Sequence, residues 1–169
     1  MSAAGPAAVA FEAIARPLLI AHAVIGLTAV GAATHFAAYA VLAARRAAGS
    51  VQLRRFAIIT PLALVAQLLL GSALYPNYRV RVRLADLQAS APVVVRLFDF
   101  KEHAAALALA LVLAAALVAR VRATSTLQPE RERALRWSGA ALSLGGAALV
   151  WTAALIGLYV TARHPVGLR

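Results

Sequence analysis

Four stretches of this chain, at about 17–44, 56–74, 100–120 and 137–161, are almost purely apolar, and nearly all ionisable residues lie between them or at their edges. Within each stretch the apolar residues are continuous rather than alternating, which predicts helices and argues against barrel strands. About 20 apolar residues in a helix cross roughly 30 Å of hydrocarbon, where only helices or closed barrels satisfy every backbone polar group. The pattern therefore predicts an all-α fold, a four-transmembrane-helix bundle forming one integral membrane domain over residues 1–169.

Composition strengthens this reading. The chain is 63% hydrophobic with a mean hydropathy of +0.81, against about 45–50% apolar residues in soluble domains. Its opening, "MSAAGPAAVAFEAIA", has no basic region ahead of an apolar core, so the first stretch reads as a true span rather than a cleaved signal. The absence of cysteine excludes disulfides, thiolate-bound zinc, iron–sulfur clusters and covalently attached c-type haem. The Arg-rich, Ala-rich composition suggests a bacterial source and hence a bacterial inner membrane.

A net charge of +11 raises the question of nucleic acid, but the basic residues flank the apolar stretches instead of covering a soluble face. They read as topological anchors, with the lipid bilayer as partner. The connections "ARRAAGSVQLRR" and "RVRATSTLQPERERALR" together hold nine Arg. By the positive-inside rule both face the cytoplasm, leaving both termini and the connection 75–99 periplasmic. "QPERER" predicts a helix start, with Pro129 in the first helical position and Glu130 and Glu132 near the positive end of the helix dipole. In 75–99, Arg79, Arg81 and Arg83 alternate with Val80, Val82 and Leu84, a period of two that predicts an extended interfacial stretch.

The two halves share a faint likeness. "LYPNYR" and "LYVTAR" both read Leu-Tyr-x-x-x-Arg, and aligning them pairs His22 with His103, Tyr75 with Tyr159 and Arg79 with Arg163. A parallel duplication of two helical hairpins would produce this arrangement.

Candidate chemistry concentrates in "DFKEH". Asp99 and Glu102 have the spacing of a capping box at a helix start, and Lys101 has the reach to snorkel to the headgroups. Capping leaves His103 unexplained. Ionisable residues within spans face a bundle interior or polar cavity, where histidine serves either as an interhelical hydrogen-bonding group or as a metal ligand. His22 lies six residues after Arg16 and His103 seven after Arg96, so from that edge their depths agree and the pair has the makings of two axial ligands of one b-type haem. Small residues follow each at helical spacing: Gly26, Ala29 and Ala33 behind His22, Ala110 and Ala114 behind His103. His35 is expected to pair with Tyr39 on its own face, Gln67 to face inward, and "GGAAL" to pack tightly. Tyr75, Tyr159, Arg79, Arg163 and Glu102 gather at one mouth, either as an interfacial belt or as a seat for an anionic group such as haem propionates or a quinone head.

No phosphate loop, zincin motif or nucleophile elbow is present. The leading expectation is a small inner-membrane subunit that binds haem b through His22 and His103 and exchanges electrons with a quinone or a partner. The alternatives are an accessory or assembly subunit of a larger membrane complex, or of a homodimer, and a carrier of small anions or metal ions.

Overall fold

The computed structural model describes residues 9–46, 50–126 and 128–163, with the side chains of 85, 86 and 163 outside that description. Four long helices dominate: α1 (Ala15–Arg46), α2 (Val51–Asn77), α3 (Pro92–Thr124) and α4 (Pro129–Arg163). All four are long and apolar enough to cross a membrane. The described residues contain no strand. α1 packs on α2 and α4, and α3 on α2 and α4, so the helices follow one another around a square bundle.

Alanine and glycine allow the helices to approach closely. The core is lined by Ala29, Ala33, Phe36 and Ala40 of α1 facing Ala108, Val112 and Ala115 of α3 and Ala140, Ala147 and Val150 of α4. α3 and α4 share the most extensive interface. There Gly146 lies so near Val112 that an added Cβ would stand 2.8 Å from its Cγ2. The tight packing expected of "GGAAL" is present. Association of such helices rests on packing and interhelical hydrogen bonds, because lipid tails remove any hydrophobic driving force between spans. One such bond runs from Trp151 Nε1 to Thr34 Oγ1 at 3.0 Å, tying α4 to α1.

The helix starts follow local chemistry. Ser50 caps α2, its Oγ accepting from the Leu53 amide at 3.0 Å. α4 begins at Pro129 with Glu130 and Glu132 in its first turn, as its sequence requires.

The connection 75–99 departs from expectation. Tyr78–Leu87 is a π-helix that prolongs α2, a short turn over Gln88–Ser90 follows, and α3 starts at Pro92. The period-two pattern of Arg79 to Leu84 is therefore coiled into a helix and is not extended. Pro76 lies inside α2, where its missing N–H removes one i→i−4 bond. The widened i→i+5 bonding then turns Tyr78, Val82 and Leu87, spaced by four and five residues, to one buried side. Arg81 pairs with Glu12 at 2.6 Å, and the Asn77 amide donates to the Ala10 carbonyl at 2.8 Å, so the approach to α1 is fastened to this segment.

The early start of α3 also corrects the reading of "DFKEH". Asp99 and Glu102 stand two to three turns inside the helix and cap nothing. Asp99 instead accepts two bonds from the Arg83 guanidinium, Nη1 to Oδ1 at 2.9 Å and Nη2 to Oδ2 at 3.3 Å, pinning α3 to the π-helical extension of α2. A planar guanidinium suits this two-point contact.

Candidate functional site

The face of each helix decides which of its polar residues enter the bundle. On α1 the buried positions Ala29, Ala33, Phe36 and Ala40 recur every three or four residues. Continued toward the helix start, the series passes through Gly26 and His22. His22 therefore lies on the inward face, whereas His35 stands one step off it and is exposed. On α3 the buried series is Ala104, Ala108, Val112 and Ala115, and its continuation is Lys101, not His103.

The side chains follow this geometry. Gln67 of α2 faces inward as expected, its Nε2 standing 2.9 Å from Nε2 of His22. With the amide donating, Nε2 of the imidazole accepts and the ring proton sits on Nδ1. That Nδ1 and the Gln67 Oε1 are both buried without a hydrogen-bond partner. Each of the two polar side chains lies against bare backbone of the opposite helix: a Cβ on Gly71 would stand 3.3 Å from Cε1 of His22, and one on Gly26 3.0 Å from Nε2 of Gln67.

Lys101 completes the group from α3. Its ammonium and aliphatic end lie against Gly157 of α4, where an added Cβ would stand 3.5 Å from both Cε and Nζ. Its Nζ lies 4.9 Å from the centre of the Phe98 ring, a cation–π contact. Lys101 acts electrostatically on His22, and no carboxylate forms an ion pair with it among the described residues. It turns toward Gly157 of α4, and the charge of Glu102 acts on it from the next position.

One cation, one imidazole and one carboxamide thus turn into the bundle, each against a glycine of a neighbouring helix: Lys101 on Gly157, His22 on Gly71 and Gln67 on Gly26. Toward the end of the bundle that bears the termini, an aromatic group follows. Tyr78 stacks on Phe98 with ring centres 3.9 Å apart, and Tyr75 leans on Tyr78 at 6.5 Å. The Tyr78 hydroxyl is buried without a hydrogen-bond partner.

The remaining nominated residues lie elsewhere. His103 is exposed and its Nδ1 bonds the Asp99 carbonyl of its own helix at 2.7 Å, so the structure joins His22 to Gln67 and not to His103. Ala110, one of the two small residues behind His103, is likewise exposed, and Ala114 is half-buried. The two histidines aligned by the faint repeat occupy unlike surroundings. His35 bonds the Gly31 carbonyl at 2.7 Å, stacks on Phe56 at 5.2 Å and neighbours Tyr39 at 6.5 Å, the same-face pairing expected plus a ring from α2. Arg79, Glu102 and Tyr159 are exposed, and Tyr75 is half-buried. The side chain of Arg163, and His164, lie outside the described residues.

Lys101 is the member that sequence reasoning passed over. Two signals identify it: it is the one lysine in a chain whose other basic residues are all Arg, and it precedes Ala104 and Ala108 by three and seven residues on one helical face. No cluster of three or more metal-capable side chains occurs among the described residues. No family model matches the chain, and neither a curated protein nor a solved structure is similar to it at a meaningful level.

Proposed function

We propose that this chain is a quinone-interacting membrane subunit in which His22, Gln67 and Lys101 hold the head group of a lipid-soluble quinone. The observation that carries the reading is the pair of unsatisfied polar atoms inside an apolar bundle, Nδ1 of His22 and Oε1 of Gln67, with the charge of Lys101 acting on the same imidazole. A buried polar group left unpaired costs about 1–3 kcal/mol, and more when charged. A ligand that satisfies several at once therefore binds with a built-in advantage.

Quinone chemistry fits this set. Its carbonyl oxygens accept from the imidazole Nδ1–H and the ammonium, and the hydroxyl of the reduced form donates to Gln67 Oε1. Its tail partitions into lipid. Haem b is the competing cofactor. The exposed setting of His103 and the engagement of His22 with Gln67 favour the quinone reading over a haem gripped by both histidines.

The test is binding of decylubiquinone to the purified protein in detergent, followed by quenching of Trp137 and Trp151 fluorescence, with a visible spectrum of the same sample. Saturable quenching, weakened tenfold or more in Lys101→Met and in His22→Leu, is expected. Equal binding by wild type and both variants would remove the quinone reading. A b-type absorption spectrum lost in His22→Ala would put haem in its place.

A further inference from the structure

The opposite end of the bundle, where both short connections lie, contains a second group of unsatisfied donors. α2 starts there, α3 ends there and α4 starts there. Between them opens a cleft of about 340 Å³ whose polar lining is Ser50, Arg54, Arg122 and Glu132.

The Arg122 side chain is only 11% exposed, yet the nearest carboxylate, on Glu132, stands 3.8 Å from its Nη2. That distance is an ion pair but too long for a hydrogen bond. Nε of Arg122 and Nε of Arg136 are both buried and without a hydrogen-bond partner. The two guanidiniums are also close enough to act on one another's charge. Two half-buried like charges, each with an unpartnered buried Nε, and one loose ion pair, that of Arg122 with Glu132, form an arrangement that is short of acceptor oxygens. The N-terminal ends of α2 and α4 add positive dipole potential at the same level.

A phosphate group supplies what is missing. It carries one or two negative charges and several acceptor oxygens, and guanidinium forks match its geometry. Of the other described acids, Glu12, Asp99 and Glu102 lie at the other end of the bundle, and Glu130, in the first turn of α4, forms no ion pair with Arg122 or Arg136.

We propose that this cleft binds a phosphate group at the guanidinium of Arg122, with Arg54 and Ser50 on the same lining. Two sources share this chemistry, the head group of an anionic phospholipid in the adjoining leaflet and a soluble phosphate. The site is separate from the His22 cluster and does not depend on it.

The test uses the full chain, delipidated in a neutral detergent. Thermal unfolding is followed on adding phosphatidylglycerol, phosphatidylcholine or inorganic phosphate, with sodium chloride at matched ionic strength, and bound lipid is counted by native mass spectrometry. A lipid source predicts a rise in melting temperature with phosphatidylglycerol and not with phosphatidylcholine or inorganic phosphate. A soluble source predicts a rise with inorganic phosphate alone. In either case Arg122→Gln and Arg54→Gln each weaken the apparent affinity tenfold or more, while Arg131→Gln, an exposed charge near the start of α4 that does not line the cleft, leaves it unchanged. No response beyond the sodium chloride control overturns the proposal, as does a response that survives in both variants. If a Gln variant does not fold, Arg122→Lys and Arg54→Lys, which keep the charge but remove the guanidinium fork, must show the same loss.

Discussion

The carboxamide of Gln67 donates to Nε2 of His22 across 2.9 Å, a bond between side chains on facing spans 45 residues apart in the chain. Water does not compete for either partner within an apolar bundle, and the neighbouring Gly26 and Gly71 leave room for both. Interhelical hydrogen bonds of this kind contribute about 0.6–2 kcal/mol. Gln67→Leu should therefore lower stability by about that amount, read as a lower melting temperature in detergent. A steric route to the same bond is available at Gly71, where even a methyl group reaches 3.3 Å from the imidazole. Gly71→Val should thus displace His22 and match the loss seen in Gln67→Leu, and a Gly71→Val/Gln67→Leu double variant should cost less than the sum. Strict additivity would show that the two substitutions act independently.

The ion pair between Arg83 and Asp99 supports a different join, that of the π-helical extension to α3. Both groups are partly exposed, at 26% and 39% of the side chain, so solvent screening keeps its worth to about 1 kcal/mol despite the two-point geometry. Arg83→Gln and Asp99→Asn should each destabilise modestly, with a coupling energy of that order in the double-mutant cycle. High salt should shrink the coupling. A coupling of zero at low salt would mean that the pair contributes nothing to the join.

Much of this architecture is legible in the sequence, and the boundary of legibility has physical causes. Four spans follow from continuous apolar runs, and the start of α4 follows from Pro129, Glu130 and Glu132. The segment Tyr78–Leu87 does not, because alternating Arg and Val satisfies a strand template, whereas the π-helix arises from Pro76 upstream and from the tertiary partners of Arg81 and Arg83. The start of α3 is equally concealed: Asp99 and Glu102 have cap spacing, but the chain is already helical from Pro92 and Asp99 serves Arg83. At the candidate site, His22 and Gln67 are recognisable as polar residues in spans. The inward side of α3 is harder to identify, since Lys101 and His103 stand two residues apart ahead of a uniform run of Ala and Leu and only the buried series Ala104, Ala108, Val112 separates the two faces.

The Arg-rich connections and the bundle's two ends allow a test of orientation. Ala89 and Ser125 are exposed at opposite ends of the bundle. We propose both termini on the periplasmic side, from the positive-inside rule. A cysteine at position 89 should then react with an impermeant maleimide in intact cells, and one at position 125 only after permeabilisation. The reverse labelling pattern would invert the protein in the membrane while leaving its four spans in place.

The α3–α4 interface offers the sharpest test of packing. Val112 is fully buried, and Gly146 faces it with no room for a side chain, since an added Cβ would stand 2.8 Å from the valine Cγ2. The next nearest atoms are the Ala108 carbonyl oxygen and the Val112 amide nitrogen, each 3.6 Å away, so the helix itself has little freedom to retreat. Overpacking at such a site costs about 1–3 kcal/mol, enough to override the helix-propensity gain of about 1 kcal/mol that replacing glycine with alanine otherwise brings. Gly146→Ala should therefore lower the melting temperature in detergent. Removing the obstructing methyl groups should reverse the sign of the substitution: in a Val112→Ala background, Gly146→Ala should be neutral or stabilising. Should Gly146→Ala stabilise the wild-type protein, the two helices are farther apart than this contact requires.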